Sequence, residues 1–171
     1  SVSFDQSGYI DALLESYDVT RSADCPHTQD LMTALPKTAE EAAPVDVSEY
    51  LALVMKIMYL AKRTRPDVLF PTSFLASRTP PLQLHWSQLT RVLRYLHGTR
   101  SLKLTLRPAS TALHLYVDAS YAIHRDAKGH SGAVLSLGGS SAPVQVISKK
   151  QKLVALSSTE AELIALHEAL G

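Results

Sequence analysis

The spacing of the apolar residues changes at about residue 102, and this change constrains the fold most strongly. Before it, apolar residues recur every three to four positions, as at Leu82, Trp86 and Leu89. After it, Leu102 and Leu104 alternate with polar residues. The first spacing is typical of helices that bury one face, and the second is typical of half-buried strands. The sequence therefore predicts an α+β fold, with a helical first part and a strand-rich second part.

The first part of the chain predicts four helices. They cover residues 7–17, 48–62, 67–76 and 82–97. Ser48 is the expected N-cap of the second helix, and Gly98 is expected just beyond the end of the fourth. Residues 18–46 contain three prolines and no apolar period, so they predict a linker or a long loop.

The second part of the chain predicts short strands and one closing helix. The strands are expected at residues 102–107, 112–117, 133–137, 144–148 and 153–156. Alternating or continuous apolar runs between glycine and polar residues support these assignments. A helix is expected from Thr159 to Leu170, with Ser158 as its N-cap.

The net charge of +1 conceals a strong asymmetry along the chain. Residues 1–55 contain ten acidic and two basic residues, whereas residues 56–107 contain ten basic residues and one acidic residue. A dense basic segment is expected of a protein that binds nucleic acid through its phosphates. The alternative is a basic face that docks on the acidic N-terminal part or is simply solvated. The candidate nucleic-acid-binding residues are Lys62, Arg63, Arg65, Arg91, Arg94, Lys149 and Lys150.

The composition excludes several classes of protein. With 46% hydrophobic and 19% charged residues, the chain has an ordinary globular composition. No apolar run approaches the ~18 residues needed to span a bilayer, and no signal-peptide pattern is present. The single cysteine, Cys25, excludes an internal disulfide and suits a reducing compartment. We therefore expect an intracellular protein, in the cytoplasm or nucleus, with no membrane partner.

Acidic residues at two places in the second part are candidates for chemistry. Asp118 follows an apolar strand, where a carboxylate needs a partner such as a metal ion, and a turn or cap role is the alternative. Glu160 and Glu162 begin the last helix, where acidic residues commonly face the helix dipole. Because they are two residues apart, at most one of them faces a metal that Asp118 also binds. His124 and His130 are a weaker candidate pair for zinc, since nothing in the sequence completes four ligands.

Several motifs occur in a familiar order along the chain. The second part resembles the opening of a copia-type ribonuclease H domain at YVDASYA (116–122), GHSG (129–132), SKKQK (148–152) and LSSTEAE (156–162). The first part resembles a reverse-transcriptase thumb and the segment that follows it at GYI (8–10), TRPD (64–67) and VLRYLHGT (92–99). The chain therefore resembles the C-terminal end of a copia-type LTR-retrotransposon Pol polyprotein.

The resemblance implies domains and a site. Residues 1–46 correspond to the thumb tail and a linker, 47–100 to a helical connection region, and 101–171 to the N-terminal half of a ribonuclease H-like mixed sheet with its first helix. Ribonucleases H hold two divalent metal ions with acidic residues. By the same resemblance, Asp118 is the strand ligand of Mg²⁺ or Mn²⁺. Glu162 is the helix ligand, and Glu160 is the fallback.

The resemblance also implies an activity and a reason to expect little of it. The inherited activity is hydrolysis of the RNA strand in RNA–DNA hybrids, which are recognised through backbone and 2′-hydroxyl contacts. The family's remaining acidic ligands lie on later elements, so half of the metal site is expected to be absent and the chain to be weak or inactive. The alternative is a non-catalytic remnant or co-opted module that binds nucleic acid or a protein partner. The rest of the polyprotein, or another protein, is the expected partner that completes the sheet.

Overall fold

The computed structural model describes residues 1–139 and 141–171, which form two compact units. The helical unit is Asp5–Lys103, and the strand unit combines Ser1–Phe4 with Leu104–Gly171. Over the described residues, the fold contains five α-helices and two small antiparallel sheets. The prediction of an α+β fold is confirmed, whereas the strand pairs that the structure describes are antiparallel and not mixed.

Four helices build the helical unit, as predicted, and their ends differ from prediction by a few residues. Asp46, and not Ser48, caps the second helix, because its carboxylate accepts a hydrogen bond from the Glu49 N–H at 2.7 Å. Gly98 is the last helical residue and not the residue beyond the end. A 3₁₀ turn at Pro66–Val68 leads into the third helix. The helices are α1 (Ser7–Ser16), α2 (Val47–Arg63), α3 (Leu69–Ala76) and α4 (Gln83–Gly98).

Large apolar side chains form the interior of the helical unit. α2 and α4 each bury a stripe at helical spacing, as amphipathic helices do in globular proteins. Each such side chain contributes roughly 1.5–3 kcal/mol of burial free energy. The fully buried set includes Tyr50, Leu53, Ile57, Leu60, Phe74, Leu75, Leu89, Leu93 and Leu96.

The segment between α1 and α2 is a long loop that is fixed to the helical unit. Two backbone hydrogen bonds connect it to α4. The Ala23 N–H donates to the Arg94 carbonyl at 3.1 Å, and the N–H of Gln83, the first residue of α4, donates to the Ala43 carbonyl at 2.8 Å. Leu31 is buried. These contacts favour a packed loop over a free linker for this segment.

Two antiparallel sheets and one helix build the strand unit. β1 (Val2–Phe4) pairs with β2 (Leu104–Leu106), with Phe4 opposite Leu104. The second sheet has the order β3-β4-β5, and α5 packs on β3 and β4. The elements of this second group are β3 (Leu113–Ser120), β4 (His130–Leu137), β5 (Pro143–Lys150) and α5 (Ser158–Leu170).

Two sequence expectations for the strand unit were wrong, and one strand was missed. Residues 153–156 are not a strand, because only Ala155 of this apolar run is buried and its neighbours are exposed. Ser157, and not Ser158, caps α5, since its hydroxyl accepts the Glu160 N–H at 3.2 Å. β1 was not predicted, because three residues are too few to show a period.

The interior of the strand unit contains small and polar side chains. Its buried apolar residues are all alanines: Ala133, Ala155, Ala161 and Ala165. Its buried polar residues are His124, His130, Ser131, Ser136 and Gln151. The small side chains on α5 let this helix approach the sheet closely, while Leu163, Leu166 and Leu170 on another face of the same helix are exposed.

Candidate functional site

Asp118 lies near the end of β3 with an exposed side chain. The strand register places it opposite Gly132 of β4, and places Gly132 opposite Ser148 of β5. Register neighbours share a face of a sheet, so Asp118 and Ser148 flank a residue that has no side chain. The Asp118 carboxylate is therefore accessible from solvent.

The Glu162 carboxylate reaches the residue that follows Asp118. Its Oε1 atom accepts a hydrogen bond from the Ala119 N–H at 3.2 Å. Ala161 and Ala165 face the sheet on α5, and their small size brings the backbone of the first turn near β3. The structure therefore brings the Glu162 carboxylate to the backbone of the residue that follows Asp118, although the two residues are far apart in sequence.

The Ala119 N–H needs this partner because of where β3 lies. β3 is the last strand on its side of the described sheet. The Gly138 N–H donates to the Ala112 carbonyl at 2.8 Å, and the two-residue alternation of an antiparallel ladder then turns the Ala119 N–H away from β4. Glu162 therefore satisfies a donor on the open edge of the sheet.

Glu160 has a different role from Glu162. Its Oε2 atom accepts a hydrogen bond from the Leu156 N–H at 2.6 Å, and its own N–H donates to the Ser157 hydroxyl at 3.2 Å. These two bonds resemble a reciprocal N-terminal cap of α5. Glu160, the fallback metal ligand, therefore already uses its carboxylate to cap the helix.

Gln151 is a buried polar residue to which the sequence assigned no role. Its Nε2 atom donates to the Ala161 carbonyl at 2.9 Å and to the Ser131 hydroxyl at 3.1 Å. Ala161 precedes Glu162, and Ser131 is the register partner of Ala119. A long amide directly after a strand and before a short loop was the only available sequence signal, and it is a weak one.

His124 and His130 form a buried pair on β4 and the loop before it. His124 Nε2 and His130 Nδ1 lie 3.1 Å apart, and His130 Nε2 lies 2.8 Å from the Ser148 hydroxyl. Burial, with a smaller contribution from His124, lowers the pKa of His130 from 6.5 to about 4. The pair is thus a hydrogen-bonded chain with a neutral His130 at neutral pH.

The acidic and histidine residues do not assemble into a larger cluster in the part of the chain that the structure describes. Among residues 1–139 and 141–171, no group of three or more histidine, cysteine, aspartate or glutamate residues could hold a metal ion.

Three of the candidate basic residues are exposed on the helical unit. Lys62 and Arg63 end α2, and Arg94 lies on α4. The Arg63 guanidinium lies 5.7 Å from the centre of the exposed Tyr59 ring, a cation–π distance. These side chains are accessible to a phosphate backbone.

Arg65 is the one candidate basic residue that the structure removes from the surface. Only 2% of its side chain is exposed, and its guanidinium forms a 2.7 Å ion pair with Asp67. The same guanidinium donates to the Thr99 carbonyl at 3.0 Å and to the Thr99 hydroxyl at 2.6 Å. Its donors are used inside the helical unit, so Arg65 joins parts of the fold and does not present a charge to nucleic acid.

The remaining basic candidates are partly engaged. Arg91 is half-buried and donates to the Cys25 sulfur at 3.4 Å. In the strand unit, Lys149 lies 3.7 Å from Glu168, and Lys150 forms a 2.8 Å ion pair with Asp126. The Lys150 to Asp126 pair lies at the surface, where such pairs contribute little to stability.

Part of the basic segment docks on the acidic N-terminal part, as the structural alternative predicted. Within the helical unit, Lys103 pairs with Asp5 at 3.0 Å and Arg100 approaches Asp11 at 3.9 Å. Lys62, Arg63 and Arg94 do not take part in these pairs. The docked-face explanation therefore applies to Lys103 and Arg100, and nucleic-acid binding by Lys62, Arg63 and Arg94 stays a prediction.

Comparisons with known proteins identify relatives of the chain. A putative transposon Ty5-1 protein of Saccharomyces cerevisiae is 40% identical over 129 residues, which are 73% of this chain and 41% of that protein. The retrovirus-related Pol polyprotein from transposon TNT 1-94 of Nicotiana tabacum is 32% identical over 170 residues, 95% of this chain and 13% of that protein. The secreted RxLR effector protein 161 of Plasmopara viticola is 43% identical over 123 residues, 70% of this chain and 85% of that protein.

The chain belongs to the retrotransposon Pol polyprotein family. The resemblance inferred from the motifs is thereby confirmed at the level of this family. The chain spans less than half the length of the Ty5-1 protein and about an eighth of the TNT 1-94 Pol polyprotein, at 41% and 13%. No family model matches the chain. No solved structure matches it.

The lengths and hydropathies of the helices bear on whether the chain can cross a membrane. None of the helices in the described residues is both long and apolar enough to cross a bilayer.

Proposed function

We propose that this chain carries two carboxylate ligands of a ribonuclease H-like centre in a copia-type Pol polyprotein. The centre hydrolyses the RNA strand of an RNA–DNA hybrid. The helical unit corresponds to the thumb and connection region that precedes this centre. Membership of the Pol family supports the proposal, and the observation that carries it is the 3.2 Å contact between Glu162 Oε1 and the N–H of Ala119, next to Asp118.

The two carboxylates suit one hard divalent cation. Mg²⁺ and Mn²⁺ prefer oxygen ligands and are commonly bound by one or two carboxylates together with water and phosphate oxygens. The Ala119 N–H orients the Glu162 carboxylate through Oε1 and leaves Oε2 available as a ligand. When bound, the metal stabilises charge on the phosphate and activates a water molecule.

The helical unit supplies a surface for the nucleic-acid backbone. Lys62, Arg63 and Arg94 are exposed there, and positive side chains bind phosphates without regard to sequence. The proposal therefore assigns phosphate contacts to these three residues and to Lys149 and Lys150 of the strand unit. It excludes Arg65, which is buried.

Metal binding tests the pair of carboxylates directly. Titration of the purified chain with Mn²⁺, followed by the electron paramagnetic resonance signal of the free ion, is expected to show weak binding. Asp118→Asn and Glu162→Gln should each abolish it. Glu160→Gln and Asp126→Asn are matched controls, because these residues serve a helix cap and surface ion pairs, and they should leave Mn²⁺ binding unchanged. Binding that is indifferent to Asp118 contradicts the proposal.

A cleavage assay tests the activity itself. In Mg²⁺, the chain alone should cleave the RNA strand of a hybrid slowly or not at all, because a two-metal site needs more ligands than Asp118 and Glu162 provide. Addition of the Pol segment that carries further acidic residues should increase cleavage, and Asp118→Asn should remove the increase. Robust cleavage by the chain alone that is lost in Asp118→Asn would contradict the prediction that half of the metal site is absent. It would still support Asp118 as a metal ligand.

Salt dependence tests the nucleic-acid surface separately from the metal. Hybrid binding should weaken steeply as salt rises, and Lys62→Ala with Arg63→Ala should lower the slope of log K against log salt by about 1–2. Arg100→Ala is the matched control, because Arg100 faces Asp11. Hybrid binding without metal binding or cleavage is the outcome that favours the non-catalytic module.

A further inference from the structure

We propose that Gln151 is the positioning residue that holds Glu162 beside Asp118. The inference rests on the proposed function, in which these two carboxylates act together. Gln151 touches neither carboxylate and acts through the two backbone segments that carry them. Its side chain is 1% exposed and lies between β4 and the first turn of α5.

The contacts of Gln151 determine which end of its amide faces α5. A backbone carbonyl only accepts hydrogen bonds, so the NH₂ group, and not the oxygen, must face the Ala161 carbonyl at 2.9 Å. The same NH₂ group reaches the Ser131 hydroxyl at 3.1 Å, and its two protons serve the two acceptors. The orientation of the amide therefore follows from its partners.

The two acceptors adjoin the two halves of the candidate site. Ala161 is bonded directly to Glu162 in sequence, and Ser131 is the register partner of Ala119, which follows Asp118. The Gln151 side chain thus links the backbone of Ala161, next to Glu162 on α5, to Ser131 on β4, the strand that pairs with β3. The Glu162 to Ala119 hydrogen bond is made across the same junction.

The surroundings are built to hold this side chain in one place. The Gln151 N–H donates to the Gly129 carbonyl at 2.9 Å, which fixes the backbone at the end of β5. A Cβ atom at Gly129 would lie 2.4 Å from Gln151 Oε1, so only glycine leaves room for the amide. Both protons of the Gln151 amide have acceptors, whereas its buried Oε1 atom has no hydrogen-bond partner among the described residues.

The chemistry of position 151 is therefore restrictive. Glutamate has the same length but, when ionised, places a charge against the Ala161 carbonyl and donates no hydrogen bond. Methionine has a similar volume and no donor, so it retains packing while it removes both bonds. These two substitutions separate the positioning role from the space that the side chain fills.

The Ala119 amide is a direct reporter of Glu162. The readout, called the Ala119 response, is slow hydrogen exchange of the Ala119 amide with solvent, which is expected because Glu162 Oε1 accepts its hydrogen. This response should be present in the unmodified chain and lost in Glu162→Ala. Gln151→Met and Gln151→Glu should also lose it while the other amide signals of α5 persist. Gln145→Ala, which changes an exposed glutamine on β5, is the matched control and should keep it.

Metal affinity is the second readout. Outer contacts of metal ligands commonly change affinity by 10- to 100-fold, so Gln151→Met should weaken Mn²⁺ binding by about tenfold. An unchanged Ala119 response in both Gln151→Met and Gln151→Glu would overturn the positioning role. If no variant or parent chain binds Mn²⁺, yet the Ala119 response depends on Gln151, the metal proposal fails and the positioning of Glu162 by Gln151 stands.

Discussion

The two units of the protein bury different kinds of side chain in their interiors. The helical unit buries leucine, isoleucine, phenylalanine and tyrosine side chains, whereas the buried apolar residues of the strand unit are all alanines. The strand unit buries His124, His130, Ser131, Ser136 and Gln151 instead, and exposes several of its large apolar residues.

The helical unit has the kind of interior that stabilises a fold, and the strand unit has the kind that specifies one arrangement of its parts. Burial of large apolar side chains stabilises a fold without directional constraint. Buried polar groups contribute less net free energy, but they require one arrangement of their partners. The candidate carboxylates lie in the unit with the hydrogen-bonded interior, where backbone segments are aligned by specific bonds.

The largest effect should follow truncation of a core residue in the helical unit. Leu93→Ala should lower the free energy of unfolding by about 3–5 kcal/mol, because a fully buried leucine loses its transfer free energy and leaves a cavity. Guanidinium unfolding followed by Trp86 fluorescence reports on this unit, since Trp86 is the single tryptophan and lies on α4. A loss below about 1 kcal/mol would show that the helical interior is loosely packed.

A smaller effect is expected at the buried ion pair of the same unit. Arg65→Met should cost about 2–3 kcal/mol, because it leaves the Thr99 carbonyl and the part-exposed Asp67 without their partner. The same fluorescence measurement applies. Arg94→Met, on the surface, is the matched control and should change stability by less than about 0.5 kcal/mol. Equal effects of the two substitutions would contradict the structural role of Arg65.

The strand unit should respond to pH through His130. An unfolded imidazole takes up a proton below pH 6.5, whereas the folded one does so only near pH 4. The unfolded state therefore binds more protons in this window, and stability should fall as pH drops from 6.5 to 4, by on the order of 2 kcal/mol. Hydrogen exchange of β4 amides measures this loss.

Two histidine variants identify the source of that pH dependence. His130→Gln cannot titrate, so the loss of stability between pH 6.5 and 4 should be smaller in this variant. His114→Gln changes an exposed histidine of β3 and should leave the loss unchanged. Parallel pH profiles of the parent chain and His130→Gln would show that other groups cause the acid sensitivity.

The smallest effect is expected on the outer face of α5. Leu163 is 62% exposed, so Leu163→Ala should change the free energy of unfolding by less than about 0.5 kcal/mol. Hydrogen exchange of the α5 amides provides the measurement. A loss above about 1 kcal/mol would mean that this face is covered in solution, and the contrast between the two interiors would be weaker than it is in this structure.

The elements with many apolar residues at a regular spacing could be predicted from sequence. The four helices of the first part and the strands β3, β4 and β5 appear close to their expected positions. Periodicity fails where few residues carry the signal, as in β1, or where an apolar run is not buried, as at residues 153–156. A run of apolar residues shows what a chain tends to bury, and tertiary packing decides what it does bury.

The candidate carboxylates could be proposed from the sequence, whereas the residues around them could not. Sequence spacing showed that Glu160 and Glu162 point in different directions, and the structure places Glu162 at Ala119. Gln151 gave only a weak signal, because its partners are a backbone carbonyl and a serine hydroxyl that are distant in sequence. Arg65 was misassigned to the surface because its charge is visible in the sequence and its burial is not.

The pairing of β1 with β2 has a consequence for how the chain is threaded. Phe4 lies opposite Leu104. The chain therefore leaves the strand unit after β1, forms the whole helical unit, and re-enters the strand unit at β2, which pairs with β1. The helical unit is thus a guest inserted between two strands of a host, and such insertions are tolerated where the two ends of the guest are close together.

Pairing β1 with β2 before the guest folds would mean closing a loop of about a hundred residues, an entropic cost on the order of 4 kcal/mol. The folded helical unit brings its own two ends together at the Asp5–Lys103 ion pair. Folding of the guest should therefore precede completion of the host. Replacement of residues 5–103 by a two-residue turn should convert β1 and β2 into a simple hairpin.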